Sequence, residues 1–287
     1  MCIKRKRRRC KVDRRKSPVI KINCSGVKIL MKKIAVITGA SGGLGKEFVR
    51  QIINDVDEVW AIGRNVAKLE AMKEEFGSKI IPLKMDLSDT KSYDGLSGKL
   101  ESEGGSSAIE ISWLINNAGA GRFAPSTEFS TEELAAGIAA HCTATASICN
   151  ICIPYMKAGD HIVNVASQSA FSPLPYINLY AATKAFVYSY SRALREELRD
   201  TGIVVTTICP GWIKTALLPD TLNGHKVKFP FLVTADKVAA KAIRDARRGK
   251  ALSIYRFAVR YVSWLQRHYP TGISVRVWAN SVKKYLE

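Results

Sequence analysis

The sequence predicts one α/β domain built on a doubly wound parallel sheet, with a small lid and C-terminal helices. Short β-prone runs alternate with longer amphipathic runs between residues 31 and 250, and such alternation builds parallel sheets. Several of the short runs are apolar almost throughout, as strands covered on both faces are. The first run leads into a glycine-rich turn, Thr38-Gly39-Ala40-Ser41-Gly42-Gly43-Leu44-Gly45, where a chain can swing tightly from strand to helix.

Strands are expected at 33–38, 58–62, 79–85, 112–116, 161–167 and 203–209, with helical patterns between them. Special residues stand at their carboxyl ends. Gly39 to Gly45 follow the first strand, Asp86 the third and Asn116 the fourth; Ser167 ends the fifth, and Pro210 follows the sixth. Open α/β sheets bind ligands beyond those ends, so position alone marks a site. No internal repeat or low-complexity linker follows residue 31.

A length of 287 residues with 47 % apolar residues suits a protein with a full core. No stretch reaches the ~20 uninterrupted apolar residues of a membrane span. The seven cysteines are odd in number and scattered, which argues for a reducing compartment and a cytoplasmic location. Cys149 and Cys152 form a CxxC inside a helical pattern. With no second pair they read as packing, and no metal is expected.

The net charge of +19 sits mostly in the N-terminus: residues 1–30 hold twelve Lys or Arg against Asp13 alone. The run Lys4-Arg5-Lys6-Arg7-Arg8-Arg9 has no apolar stretch of the secretory kind behind it. Residues 1–30 are expected to be a disordered basic extension, dispensable for folding and turnover, with no specific nucleic-acid partner. Met31 opens the domain.

Tyr180 and Lys184 stand four apart in Tyr180-Ala181-Ala182-Thr183-Lys184, and on a helix i and i+4 share a face. A free phenol, with a pKa of about 10, is a poor acid at neutral pH. A neighbouring cation lowers that value, giving a group that exchanges a proton with a carbonyl or alcohol oxygen. Together with Asn116-Asn117-Ala118-Gly119 and the glycine turn, this chain resembles the short-chain dehydrogenases/reductases over residues 32–250. The family's YxxxK falls on Tyr180 and Lys184, its TGxxxGxG on Thr38, Gly39, Gly43 and Gly45, and its NNAG on residues 116–119. Its catalytic Ser, thirteen residues before the Tyr, falls on Ser167. Its PG turn followed by Thr falls on Pro210, Gly211 and Thr215.

The resemblance implies a Rossmann fold and a nicotinamide cofactor. Gly39, Gly43 and Gly45, with Thr38, Ser41 and Leu44 around them, would admit a pyrophosphate to a helix N-terminus. Asp86 and Leu87 would contact the adenine, with Asp86 doubling as a helix cap. Asn117, Ala118 and Gly119 would flank the adenine ribose. Pro210, Gly211, Ile213 and Thr215 would clamp the nicotinamide carboxamide. Gly63 stands where an acid would read a ribose 2′-hydroxyl, and Arg64 follows. That favours NADP(H), with NAD(H) as the alternative cofactor. The glycine turn lacks a second basic residue at Gly42, for which Lys46 is a candidate stand-in.

By the same resemblance Tyr180 protonates the carbonyl, Lys184 lowers its pKa and binds ribose, and Ser167 donates to the substrate oxygen. The family's relay Asn on the fourth helix falls on His141, counting back from Pro154 through an unbroken helix. A neutral imidazole donates and accepts, so His141 would hold the relay water and titrate near neutrality.

The substrate mouth is expected to be apolar, from Trp212, Leu217, Leu218, Phe229, Phe231, Leu232 and Val233, with Phe171, Leu174 and Tyr176. A steroid-like or acyl-like ketone or alcohol would fit it. Residues 251–287 interleave aromatics with Arg and Lys. They would pack on the domain and close the pocket, bury at a contact between copies, or lie on an anionic membrane surface. The expected function is NADPH-dependent hydride transfer to or from a small-molecule carbonyl or alcohol, in a homodimer or homotetramer. The rival is a non-catalytic dinucleotide sensor or partner-binding protein on the same scaffold.

Overall fold

A computed structural model describes residues 20–22, 28–105, 108–215, 218, 221–222, 224–283 and 285. Residues 1–31 and 32–287 form separate compact units. In the first, Ile20–Ile22 pairs antiparallel with Lys28–Leu30. Most of the 1–30 extension, the basic run 4–9 included, lies outside the described residues. Alternating Ile20, Ile22 and Ile29 among lysines is a strand pattern that the surrounding charge obscures.

The second unit is built on seven strands: β1 (Lys32–Thr38), β2 (Glu58–Gly63), β3 (Ile80–Lys84), β4 (Ile109–Asn116), β5 (His161–Val165), β6 (Val204–Ile208) and β7 (Leu252–Ser253). Their order is β7-β6-β5-β4-β1-β2-β3, and every pair is parallel. The doubly wound sheet is as expected; β7, only two residues long, carries no period by which sequence could find it.

The helices are α1 (Gly43–Ile52), α2 (Val66–Phe76), α3 (Asp94–Ser102), α4 (Thr131–Ile138), α5 (Ala144–Cys152), α6 (Asn178–Glu197), α7 (Ala235–Arg247), α8 (Phe257–His268) and α9 (Thr271–Lys283). They cover the sheet on both sides because its strands are apolar on both sides. Ala35 and Ile37 pack with Phe48, Val49 and Ile52 of α1 and with Val238, Ala242 and Ile243 of α7. Ile34 and Val36 face the other way, onto Leu96 and Leu100 of α3, Ile148 and Cys152 of α5 and Leu194 of α6. Each such fully buried side chain contributes roughly 1.5–3 kcal/mol.

Local chemistry sets the helix starts. Asn65 accepts from Lys68 N–H to cap α2 at 3.0 Å. Ser130 and Glu133 exchange hydrogen bonds in a capping box at α4. The helical run Thr131–Tyr155 is apolar and long enough to cross a membrane by length and composition, but Ile148, Cys149 and Cys152 anchor it in the core. It is not an unbroken α-helix: a π turn spans Ala139–Thr143 and carries His141 and Cys142 inward. Cys149 and Cys152 are free and buried, and burial pushes the Cys149 thiol up to about 12.

Candidate active site

The sequence motifs converge beyond the carboxyl ends of β1, β4, β5 and β6. Thr38 ends β1, and its Oγ1 accepts from the N–H groups of Asn117 (3.0 Å) and Ala118 (3.1 Å). The Asn117 amide in turn donates to the carbonyls of Thr38 and Gly39 at 3.2 and 3.1 Å. The glycine turn and the 116–119 stretch are thus locked together. Deeper, Asn116 donates to Asn164 (2.9 Å), which donates to Ser191 (2.9 Å), tying β4 and β5 to α6.

The glycines are required by space. Gly39 has φ +62°, and a Cβ there would lie 2.9 Å from Ala118 Cα. A Cβ on Gly45 would lie 2.2 Å from the Gly39 carbonyl oxygen, and one on Gly43 3.1 Å from Thr215 Cγ2. So the turn opens α1 with bare backbone, and Thr215 lies directly against it. Gly42 caps α1 without a side-chain hydrogen bond, which leaves the first N–H groups for an anion.

On the adenine side, Asp86 accepts from Ser88 N–H (3.0 Å) and Ser88 Oγ–H (2.7 Å) through one oxygen. These bonds hold its carboxyl below the ordinary range, with a smaller pull from the Arg64 charge. Arg64 is exposed, and Leu87 is buried. A Cβ on Gly63 would point toward Leu69 and Ser41, whose Oγ would be 3.7 Å away. Lys46, the candidate second basic residue, pairs with Glu75 of α2 at 3.0 Å.

The catalytic candidates meet on the other side of the turn. Lys184 is buried, and its Nζ donates to the Val165 carbonyl at 2.8 Å. Burial lowers its pKa to about 8. Tyr180 runs the other way: burial raises the phenol, while the neighbouring Ser167 hydroxyl pulls it down. The Lys184 ammonium lies 5.6 Å from the Tyr180 ring centroid. The direction of the Tyr180 shift is set first by burial of the phenol. Ser167 accepts from Ser169 N–H at 3.1 Å, which leaves its own proton to donate. Gly211 follows β6 beside Gln168, and Pro210 accepts from Gln168 N–H at 2.8 Å. Ile213 begins a two-residue strand pairing parallel with Val233–Thr234, which closes the base of the lid.

His141 lies where the count placed it, with a different role. Its Nε2 accepts from Ala120 N–H at 2.9 Å. Its Nδ1 lies 2.8 Å from Thr183 Oγ1, and that hydroxyl donates to the Tyr180 carbonyl at 2.9 Å. The set is consistent with one neutral tautomer, protonated on Nδ1. Burial and the Lys184 charge drive the ring's pKa down to about 3. Both ring nitrogens have protein partners, and the lowered pKa departs from the expectation of titration near neutrality. It clamps the Gly119–Ala120 backbone to α6, its ring edge-on to Tyr180 at 5.9 Å.

Several residues were missed by sequence reasoning. A Cβ on Gly121 would lie 3.0 Å from Tyr180 Cδ2, so the NNAG stretch matters two residues further on. Thr183, inside YxxxK, meets His141 Nδ1 and donates to the Tyr180 carbonyl. Phe123, Tyr180 and Trp278 pack against the buried cluster of Leu174, Ile177 and Ala181. Trp278 donates to the Pro175 carbonyl at 2.9 Å and stacks 6.4 Å from Trp212, which meets Phe229 at 4.8 Å. By contrast Phe171 turns away, against Tyr188 and under Arg267, and Phe231 and Leu232 are exposed. Leu217 lies outside the described residues.

A family profile described as short chain dehydrogenase matches residues 33–225. The chain belongs to the short-chain dehydrogenase/reductase family. It is 31 % identical to mouse 17-beta-hydroxysteroid dehydrogenase type 3, across 75 % of this chain and 69 % of that one. It is 27 % identical to an uncharacterized oxidoreductase of Staphylococcus epidermidis, across 72 % of this chain and 89 % of the relative. A short-chain dehydrogenase of Sphingobium yanoikuyae, solved with NADPH, shares the fold at TM-score 0.66 and 24 % identity, covering 82 % of this chain and 92 % of its own. A bulky-bulky ketone specific alcohol dehydrogenase of Comamonas testosteroni does so at TM-score 0.67 and 23 % identity, with 82 % and 91 % covered. The chain is an oxidoreductase of this family on a Rossmann-type sheet.

Proposed function

We propose that the protein is an NADPH-dependent carbonyl reductase acting on bulky, apolar ketones, or on the matching alcohols in reverse. The observation that carries the chemistry is the convergence of Tyr180, Ser167 and buried Lys184 beside the glycine turn and the 116–119 stretch. The glycine turn, which closes on itself and on Ala118 too tightly for any Cβ at Gly39 or Gly45, leads into an α1 N-terminus with no side-chain cap, and such a terminus fits a pyrophosphate. A bound nicotinamide would supply the hydride.

The chain's own residues would supply the rest. Tyr180, kept protonated by burial, donates its phenolic proton to the carbonyl oxygen. Ser167 donates a second hydrogen bond there, so developing charge meets two fixed donors. Lys184 carries a proton at neutral pH on a pKa of about 8, close enough to neutrality to pass it on. His141 and Thr183 hold the backbone of the 119–120 loop against α6.

Cofactor preference rests on Gly63 and the exposed Arg64, which present space and a cation where a ribose 2′-phosphate would lie. The NADPH bound to the Sphingobium neighbour accords with this. Substrate class rests on the wall of Phe123, Leu174, Ile177 and Trp278, with Trp212 and Phe229 behind it. The mouse steroid dehydrogenase and the Comamonas ketone enzyme both have names of that substrate type. A panel of steroid, aryl and long-chain ketones against small sugars, read by NADPH absorbance, tests it. Bulky ketones should be reduced with NADPH and sugars not. Dinucleotide binding with no turnover on any carbonyl or alcohol would favour the non-catalytic reading instead.

A further inference from the structure

Helices α8 and α9 lie beyond the family match, which ends at residue 225. Each buries one side: Val259 and Ser263 of α8 and Val282 of α9 are buried. On the opposite sides, large apolar side chains stand exposed among the described residues. On α8, Phe257 is 80 % exposed, Tyr261 52 % and Trp264 53 %, at i, i+4 and i+7, one face of the helix. On α9, Ile273 and Val277 repeat the spacing at 52 % and 65 %. A shallow cleft of about 350 Å³ opens beside Phe257, Tyr261 and Trp264.

The charge on this surface has one sign. Between Asp245 and Glu287 the sequence has nine Lys or Arg and no acidic residue. Arg256, Arg260 and Arg276 are exposed, and none of them pairs with a carboxylate among the described residues. A second copy docking through the same face would bring these guanidinium groups together with no acid on either side. An exposed aromatic row flanked by unpaired cations is instead the pattern of a helix lying in a lipid headgroup layer.

We propose that the outer face of α8 and α9 seats this protein on an anionic lipid bilayer. Phe257, Tyr261 and Trp264 enter the headgroup boundary, while Arg256, Arg260 and Arg276 meet lipid phosphates and carboxylates. The face is joined to the candidate active site. Trp278, next to exposed Val277 on α9, bonds to Pro175 and packs on the same Leu174–Ile177–Ala181 cluster as Tyr180. Resting on the reductase reading, this arrangement presents the mouth to ketones dissolved in the bilayer. The docking itself does not depend on that reading.

The test sediments the full chain with phosphatidylcholine vesicles, with and without phosphatidylserine, at low and high salt. Binding should require phosphatidylserine and fade with salt. A Phe257→Ser/Trp264→Ser double variant and an Arg260→Glu/Arg276→Glu double variant should each bind at least about tenfold more weakly. Both should keep the wild-type melting temperature and NADPH turnover on a water-soluble ketone. Vesicle binding without turnover would leave the docking standing and remove the reductase. Vesicle binding that the variants do not weaken would overturn the proposal, because the basic run 4–9 would then carry it. So would no vesicle binding, a self-associated state that the Phe257→Ser/Trp264→Ser variant dissolves, or equal loss of binding to an oligonucleotide.

Discussion

The crevice at the sheet's carboxyl end and the outer face of α8 and α9 use the same kinds of residue in opposite ways. In the crevice, polar groups are buried and spoken for. His141 has a partner on each ring nitrogen, Lys184 bonds a carbonyl, and the glycines stand where a Cβ would collide. On the helical face, Phe257, Tyr261 and Trp264 are more than half exposed, and Arg256, Arg260 and Arg276 pair with no carboxylate among the described residues. The first region is complete but for a small ligand. The second is complete only with a surface to lie on. Substitution should therefore be costly to folding or chemistry in the crevice, and cost binding alone on the face.

The largest expected contrast is at Tyr180. Tyr180→Phe should lower kcat by about 10²–10⁴-fold, the worth of a positioned acid, while NADPH still binds. Retention of more than a few per cent of turnover would break the assignment. Next comes Gly45→Val. Its Cβ would sit 2.2 Å from the Gly39 carbonyl oxygen, so dinucleotide binding should vanish and the melting temperature fall, as calorimetry with and without NADPH would show. A variant that binds as wild type would mean the turn is free to move. Arg64→Ala should weaken NADPH by about 10–100-fold, the loss of a charge-assisted hydrogen bond, and leave NADH within about twofold. Equal losses for both would show that Arg64 does not read the 2′-phosphate.

His141 offers a subtler test through pH. Its folded pKa of about 3 lies below the ordinary 6.5. Between those values the unfolded chain binds the extra proton, so stability falls as pH falls, by up to ~1.4 kcal/mol per unit. His141→Asn keeps one acceptor for Ala120 N–H and one donor for Thr183 but cannot take up the proton. Urea unfolding at pH 7 and pH 5 should show a smaller acid loss in His141→Asn than in wild type. His161, also depressed by burial, to about 4, is common to both and cancels. Equal acid losses would mean that His141 is not held neutral. The smallest effect belongs to the face: Trp264→Ser should shift stability by less than ~0.5 kcal/mol, as uncovered surface residues do.

The crevice was legible in the sequence because its demands are steric and local. Only glycine fits at Gly39 and Gly45, and only the i, i+4 spacing puts Tyr180 and Lys184 on one side of α6. Six of the seven sheet strands were legible because an apolar run covered on both faces has no other use. What escaped depends on neighbours distant in sequence. Which cation stays free was one such matter: Lys46 is taken by Glu75 of α2. The direction of the Tyr180 shift was another, because it follows first from how deeply the fold buries the phenol. His141's role turned on Thr183, whose hydroxyl reaches it across 42 residues of sequence. Composition revealed the aromatics of the tail but could not divide Trp278, turned into the substrate wall, from Phe257 and Trp264, turned out.

The central claim is that the crevice passes hydride from NADPH to a carbonyl carbon while Tyr180 protonates the oxygen. Its most direct test follows deuterium from 4-deuterated NADPH of each facial configuration into a bulky ketone, by mass spectrometry of the product. One configuration should place a single deuterium on the new carbinol carbon, and Tyr180→Phe should stop the transfer without abolishing cofactor binding. A product without deuterium from either configuration, or undiminished transfer in Tyr180→Phe, would contradict the account.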